Sequence, residues 1–159
     1  MSGATGPVLF EEHQRFVNRV VAFVLLGLLL LATLFAWQDL REHLPAGRQL
    51  TMFLPVALVA ILLFLELHVT VGDAGVHIRM FPFANRTIAP AHIARWEART
   101  YRPIREYGGW GVRFGPRGRA YNVSGDRGVE LTLDNGKRVL IGSQRSDDLA
   151  AAIGRIAKA

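Results

Sequence analysis

The residues that could do chemistry are concentrated between Tyr107 and Gly128, in the stretch YGGWGVRFGPRGRAYNVSGDRG. A glycine-rich loop can cradle phosphate groups, but the dinucleotide-binding pattern needs G-x-G-x-x-G between a strand and a helix. Gly109 and Gly111 supply the first two glycines, whereas Phe114 occupies the third position and no helical pattern follows. The chain also lacks the Gly-Lys-Ser/Thr triplet of a P-loop. We therefore interpret these glycines as turns, bulges and bends of β-structure.

No other catalytic or metal-binding pattern is present in the sequence. Ser124 lies in Asn-Val-Ser-Gly-Asp, which lacks the first glycine of a nucleophile elbow. The five histidines are scattered without the spacing of a zinc site, and the absence of cysteine excludes thiolate ligands and disulfides. The sequence therefore predicts a protein that is not an enzyme and that uses no cofactor and no metal.

Arginine is the remaining candidate functional residue type. Seven arginines lie between Arg95 and Arg119, and only Glu97 and Glu106 oppose them, so this stretch has a net charge of +5. Aromatic residues lie among these arginines. The candidate contacts for anionic lipid or for a protein partner are Arg99, Arg102, Arg105, Arg113, Arg117, Arg119 and Trp110.

Three interpretations of this basic stretch remain open. It can be a solvated face that keeps the domain soluble, or a patch that faces an anionic leaflet, where each basic residue contributes about 1 kcal/mol. Tryptophan and tyrosine favour the headgroup region, which fits the second interpretation. Basic residues with aromatics are also typical of nucleic-acid binding, but no nucleic-acid motif is present and a membrane anchor disfavours that partner.

The membrane anchor is predicted from two apolar runs. Val20 to Trp37 contains 18 consecutive residues without a charge, and Leu50 to Leu65 contains 16. Neither run has a polar stripe at helical period, which disfavours two buried helices of a soluble core. About 20 residues cross the hydrocarbon core as a helix, so the second run is long enough only if its helix extends to Gln49 at one end and to Leu67 at the other. The sequence predicts a transmembrane helical hairpin with spans at 20–37 and 49–66.

Two spans divide the chain into a polar segment at 1–19, the hairpin at 20–66 and a domain at 67–159, with both termini on one side of the membrane. That side has four arginines near the spans, whereas the link between the spans has two, Arg41 and Arg48. Positive charge favours the cytoplasm, so both termini are expected there, with the protein integral to the bilayer.

The domain at 67–159 has the pattern of about seven short strands and a closing helix. Residues 67–71 and 76–81 alternate around a glycine-containing turn, which predicts a hairpin. Asn135-Gly136 predicts a second hairpin with a two-residue type I′ turn. Near the C-terminus, Ser146 is the predicted N-cap of a helix whose apolar residues recur at helical spacing. This combination predicts a small α+β domain.

Four segments of the domain carry a family resemblance: YRPIREYGGWG at 101–111, AYNVSG at 120–125, GVEL at 128–131 and IGSQ at 141–144. They resemble a group of bacterial membrane proteins with two N-terminal transmembrane helices and a pleckstrin-homology-like (PH-like) domain. The resemblance implies seven antiparallel strands in a strongly bent sheet, capped by a C-terminal helix, and a place in the bacterial cytoplasmic (inner) membrane. It implies no reaction and no catalytic residues.

Two functions are consistent with these observations. In the first, the protein is a membrane-anchored, non-enzymatic binding module whose cytoplasmic PH-like domain engages an anionic membrane surface or a protein partner. In the alternative, it is a structural or assembly subunit of a membrane complex or homo-oligomer that acts through its two transmembrane helices. Small residues at Gly27, Ala32, Ala57 and Ala60 would allow other helices to approach closely.

Overall fold

The computed structural model describes residues 7–15, 19–40, 45, 51, 53–115 and 118–157. The chain divides into two compact units. We call Phe16–Phe64 the helical unit, and Met1–Arg15 together with Leu65–Ala159 the β unit.

The helical unit contains a long apolar helix, α1 (Arg19–Leu40), and a shorter one, α2 (Leu54–Leu63). In α1 the 18-residue window Val21–Gln38 has a mean hydropathy of 2.2, and only 11% of the window is buried within the protein. Its length and composition are sufficient to cross a membrane. The rings of Trp37 and Phe53 lie 5.5 Å apart between their centroids.

The second predicted span agrees with the structure only in part. Among the described residues, α1 is the one helix that reaches the length and hydropathy of a membrane span. Helix α2 has ten residues, and the predicted continuation of the helix to Leu67 is wrong because a strand already begins at Glu66. From this strand Leu67 points into a protein core, which explains why the apolar run continues beyond the helix. Residues 49, 50 and 52 of the predicted span lie outside the described part of the chain.

The first sheet of the β unit has four antiparallel strands in the order β1-β2-β3-β4. They are β1 (Phe10–Arg15), β2 (Glu66–Gly72), β3 (Gly75–Phe81) and β4 (Ala84–Ile88). The hairpin predicted from the alternating residues is confirmed as β2 and β3, which pair from Glu66–Phe81 to Gly72–Gly75.

Strand β1 was not predicted. Its inward-facing residues are Phe10, Glu12 and Gln14, so two of the three buried positions are polar and the apolar alternation of a half-buried strand is missing. The strand nevertheless pairs with β2 along its whole length, from Phe10–Val71 to Arg15–Glu66. The helical unit is therefore an insertion between two neighbouring strands of one sheet.

The second sheet has five strands in the order β5-β8-β9-β7-β6. They are β5 (Ile93–Thr100), β6 (Gly111–Gly115), β7 (Gly118–Asn122), β8 (Arg127–Leu133) and β9 (Arg138–Gly142). Strands β7 and β9 are parallel, whereas the other pairs are antiparallel. The expectation of about seven antiparallel strands in one bent sheet is thus wrong for the described chain, which has nine strands in two sheets. Local alternation of residues identifies strands, but it does not give their partners.

The Asn-Gly hairpin is confirmed with a different turn. Strands β8 and β9 pair as far as Thr132–Arg138. The Leu133 N–H then donates to the carbonyl of Lys137 at 2.8 Å, and the Gly136 N–H donates to the carbonyl of Leu133 at 2.9 Å. Gly136 has φ 75°. These contacts define a three-residue connection, in which a turn is followed by a left-handed glycine, in place of the predicted two-residue turn.

Three short helical segments complete the β unit. They are a 3-10 turn (Pro90–His92), α3 (Pro103–Tyr107) and α4 (Ser146–Ala157). The predicted apolar stripe of α4 is confirmed, since Leu149, Ile153 and Ile156 are buried. The predicted N-cap is wrong: the buried Ser146 hydroxyl has no hydrogen-bond partner in the described structure, and the Ser143 hydroxyl accepts the N–H of Arg145.

The main core joins the inner faces of both sheets to α4. The large inward-facing side chains of β2 and β3 are all fully buried. They are aliphatic except for Met80, which carries a thioether. Trp96 of β5 packs against Gly154 of α4, where an added Cβ would lie 3.3 Å from the indole ring. The result is a mixed α+β domain of two sheets closed by a C-terminal helix.

Candidate functional site

The arginine-rich stretch folds around α3 and the strands that flank it. Pro103 stands in the first turn of α3, where its missing N–H breaks no helical hydrogen bond. The helix ends at Gly108, whose left-handed φ of 73° suits glycine and lets its N–H donate to the carbonyl of Ile104. Gly108 therefore ends a helix, which agrees with the interpretation of these glycines as structural residues.

A small second core lies beneath α3. Tyr101, Tyr107, Ala120 and Leu140 are buried together, with the two tyrosine rings in an edge-on contact at 6.2 Å. The side-chain amide of the buried Asn122 donates to the Tyr101 hydroxyl at 3.1 Å and accepts the backbone N–H of Gly111 at 3.1 Å. Burial raises the pKa of both tyrosines above the ordinary value.

Arg99 is tied into this region by ion pairs. Its guanidinium donates to Glu130 and to Glu106, each at 2.8 Å, and its side chain is only 19% exposed. Burial by itself would lower the pKa of Arg99, but the hydrogen bond to Glu106 and the charges of both glutamates raise it above the ordinary value. The Arg99 charge is thus balanced by two carboxylates within the domain.

Most of the other predicted contact residues lie at α3 and around β6, whereas Arg119 lies in a separate groove. Arg102 and Arg105 are exposed at α3, where the Arg102 N–H donates to Glu106 at 2.8 Å. Arg113 is exposed on β6 and folds back so that its Nε donates to the carbonyl of Trp110 at 2.8 Å. Trp110 donates its indole N–H to the carbonyl of Gly125 at 3.2 Å. Arg117 lies outside the described residues.

Arg119 belongs to a basic groove that the sequence did not predict. The groove has a volume of about 680 Å³ and is lined by Arg86, Phe114, Gly115, Gly118, Arg119, Gly136, Lys137, Arg138 and Val139. We call it the basic groove. It joins β4 of the first sheet to the β6–β7 and β8–β9 connections of the second. No carboxylate is among its described lining residues.

Among the described residues of the β unit, Phe114 is the most exposed large apolar side chain, at 71%. The guanidinium of Arg119 lies 4.9 Å from the centre of the Phe114 ring, an arrangement that stabilises a cation on an aromatic face. Lys137 and Arg138 are exposed. Arg138 also contacts the carboxylate of Glu130 at 3.4 Å, although Glu130 does not line the groove. The groove therefore presents an aromatic ring among four cationic side chains.

Gly118 brings two of the groove strands together. It has φ 118°, and an added Cβ would lie 2.2 Å from the carbonyl oxygen of Arg138. Only glycine allows β7 and β9 to approach so closely at this point. Gly118 thus places Arg119 beside Arg138.

No family model, no curated protein and no solved structure matches the chain. The site must therefore be judged from its own geometry.

The geometry of the basic groove offers positive charge and an exposed aromatic ring. In the described part of the chain, no three histidine or carboxylate side chains are grouped so that they could hold a metal ion. His92 contacts Asp134 at 2.6 Å beside a second hollow of about 530 Å³, which shares Arg86 with the basic groove. The hydrogen bond from His92 lowers the pKa of Asp134. Thr87 also lines this hollow, and its hydroxyl contacts His77 Nδ1 at 2.9 Å. The cationic lining of the basic groove is suited to binding anionic groups.

Proposed function

We propose that this chain is a membrane-anchored, non-enzymatic binding module whose β unit engages an anionic membrane surface. The observation that carries the proposal is the basic groove, in which Arg86, Arg119, Lys137 and Arg138 surround the exposed Phe114. Cations near an anionic leaflet and an aromatic ring at headgroup level are the two contributions that hold a protein surface on such a membrane. No cofactor or metal takes part.

The anchor is supported by α1, an apolar helix whose side chains mostly face outwards. A bilayer would cover these side chains, whereas in water they would remain a large exposed apolar surface. Twenty-two residues at about 1.5 Å each make a helix of about 33 Å, which matches the hydrocarbon core.

Strand pairing supports a two-span topology. Arg15 and Glu66 are paired in neighbouring strands, so they lie on the same side of any membrane. The chain between them must then cross the bilayer an even number of times. If α1 crosses the membrane once, the segment that ends with α2 must cross back. The transmembrane hairpin predicted from hydropathy is therefore part of this proposal.

The side of the membrane and the family are part of the same proposal. Arg15, Arg19, Arg79 and Arg86 lie near the spans on the side of the termini, against Arg41 and Arg48 in the link. This excess favours a cytoplasmic location for both termini. The bacterial inner membrane is proposed from the family resemblance. Two sheets closed by a C-terminal helix are compatible with a PH-like domain, with β1 and the parallel β7–β9 pair as additions.

The experiment uses the full chain with Phe114→Cys, which gives up the ring but keeps the four cations of the basic groove, placed in nanodiscs of neutral or of partly anionic lipid. The measurement is the rate at which an uncharged, water-soluble maleimide modifies the cysteine. We expect slower modification in anionic discs at low salt and equal rates at high salt, because salt screens the attraction. Equal rates in the two lipids at low salt would contradict the proposal.

Matched variants then separate the basic groove from the other arginines. Arg119→Gln combined with Lys137→Gln removes two exposed charges of the basic groove and should remove most of the difference between the lipids. Replacing Arg102 and Arg105 with glutamine removes exposed charge outside the groove and should preserve most of the difference. The opposite result would assign binding to the stretch around α3.

A further inference from the structure

Two aromatic side chains are exposed at the turn between β3 and β4. Phe81 is 50% exposed and Phe83 is 59% exposed, on either side of Pro82. The turn is closed by the Phe83 N–H, which donates to the carbonyl of Met80 at 2.8 Å. A well-ordered turn that presents two phenylalanines to solvent leaves apolar area that a partner can cover.

The strand register shows which end of the sheet carries this turn. Phe81 pairs with Glu66, the first residue of β2, and Glu66 pairs with Arg15, the last residue of β1. The phenylalanine turn therefore lies at the end of the first sheet where the chain leaves for α1 and returns from α2.

The covalent connection to α2 is short. Leu63 ends α2 and Glu66 begins β2, so three residue steps of at most about 3.5 Å limit their separation to about 10 Å. Phe81 is one strand further away, about 5 Å. The headgroup region of a bilayer is about 5–8 Å thick on each side of the hydrocarbon core. If α2 ends at the membrane surface, chain length alone keeps the turn within about 15 Å of that end, so the phenylalanines can reach the headgroup region.

We propose that the Phe81-Pro82-Phe83 turn is an interfacial anchor that inserts its two phenylalanines into the headgroup region of the bilayer. This inference rests on the proposed function, because it requires the helical unit to be in the membrane. Arg79 is exposed two residues before Phe81 on the same face of β3. Arg15, at the end of β1, is already paired with Glu66 at 2.8 Å, so its charge is partly balanced within the β unit. Cations beside inserted aromatic rings are suited to the phosphates of the same leaflet.

The partner is the lipid interface because of the position of the turn. Val8 is also exposed, at 52%, but it precedes Phe10, which pairs with Val71 near the other end of β2. Asp73 stands in the β2–β3 turn at that same distant end. The two ends of one sheet therefore provide a test site and an internal control.

The chain has no cysteine, so single cysteines can carry an environment-sensitive fluorophore in the full-length protein. The test positions are Phe83→Cys at the turn, Asp73→Cys at the opposite end and Leu28→Cys within α1. Each labelled chain is reconstituted in phosphatidylcholine–phosphatidylglycerol vesicles that contain lipids with a quencher either near the headgroup or deep in the acyl chain.

We expect the shallow quencher to remove most of the fluorescence at position 83, the deep quencher to act at position 28, and neither to act at position 73. Quenching at 28 without quenching at 83 would overturn the proposal that the turn inserts into the lipid. It would not contradict the proposed function as a membrane-anchored binding module. No quenching at 28 would overturn the membrane placement of α1, and with it both proposals.

A second reporter protects the test from a misfolded turn. Asn85→Cys places the label on the exposed face of β4 and leaves both phenylalanines unchanged. Its shallow quenching should fall when Phe81→Ser and Phe83→Ser are introduced together. Unchanged quenching in that background would show that the phenylalanines do not hold the turn in the lipid, and would overturn the proposal.

Discussion

The Glu12 carboxylate accepts the backbone N–H of Gln144 at 2.8 Å, although 132 residues separate the two positions in the chain. The same carboxylate accepts the hydroxyl of Ser143, and the neighbouring inward residue Gln14 donates to the carbonyl of Gly142 at 3.0 Å. Strand β1 is thus attached not only to β2 but also to the segment that leads into α4.

Glu12→Ala should destabilise the β unit by about 1–3 kcal/mol, because it leaves the N–H of Gln144 and the hydroxyl of Ser143 without their buried acceptor. The measurement is thermal unfolding in detergent, followed by circular dichroism. Glu11→Ala is the matched control: its carboxylate is 60% exposed and pairs with His68 at the surface, so about 0–1 kcal/mol is expected. Equal losses in the two variants would contradict a special role for Glu12.

A chain that lacks the helical unit should fold if β1 is kept. Arg15 and Glu66 are paired, so a short glycine-containing linker from Arg15 to Leu65 can replace residues 16–64 as a hairpin turn. We expect this shortened chain to be soluble and to unfold cooperatively.

A fragment containing only 65–159 is the comparison for that experiment. It exposes the edge of β2 and removes Phe10 from the core, so aggregation or loss of cooperative unfolding is expected. Size-exclusion chromatography and chemical denaturation distinguish the two chains. Equal stability of both would show that β1 is dispensable.

Arg99→Gln should cost stability and leave membrane binding largely unchanged. The substitution leaves Glu130 and Glu106, which are 13% and 18% exposed, without their shared cation, and about 2 kcal/mol of destabilisation is expected. The measurements are chemical denaturation and the lipid-dependent maleimide rate at position 114. If stability is retained while the lipid dependence disappears, Arg99 belongs to the binding surface after all.

Alkaline pH should weaken the domain through the tyrosines beneath α3. Burial raises the pKa of Tyr101 in the folded state, so its contribution to stability is fully present below the unfolded pKa of about 10 and is lost as pH rises through the folded value. Absorbance of tyrosinate and circular dichroism should therefore change together on titration. Tyrosinate formation by Tyr101 before any loss of structure would contradict the buried site.

The sequence was sufficient where apolar residues follow the period of a secondary structure. The β2–β3 hairpin and the stripe of α4 were predicted because Val69, Ile78 and Ile153, among others, recur at the correct spacing and are buried. Strand β1 escaped prediction because Glu12 and Gln14 are buried through hydrogen bonds rather than through hydrophobicity. Periodicity in hydropathy cannot reveal a polar residue whose partner lies at the other end of the chain.

The candidate site was predicted less well for a similar reason. Counting charges from 95 to 119 includes Arg99 but not its partner Glu130, which β8 brings alongside β5. The same count omits Arg86 and Lys137, which only the folded chain places next to Arg119. Local composition correctly indicated a basic domain, whereas the position of its cationic surface depends on tertiary pairing.

The insertion of the helical unit between β1 and β2 also has a consequence for biosynthesis. The ribosome completes β1 before the apolar helices, and β2 emerges only after them. If the helical unit enters the membrane as proposed, the first sheet cannot form until the insertion machinery has placed that unit. If the helices were left in the wrong orientation, or if only one of them crossed, β1 and β2 would be separated by the bilayer. Folding of the β unit would thus require correct insertion of both helices. A failed insertion would leave two unpaired strand edges for proteases and chaperones to recognise.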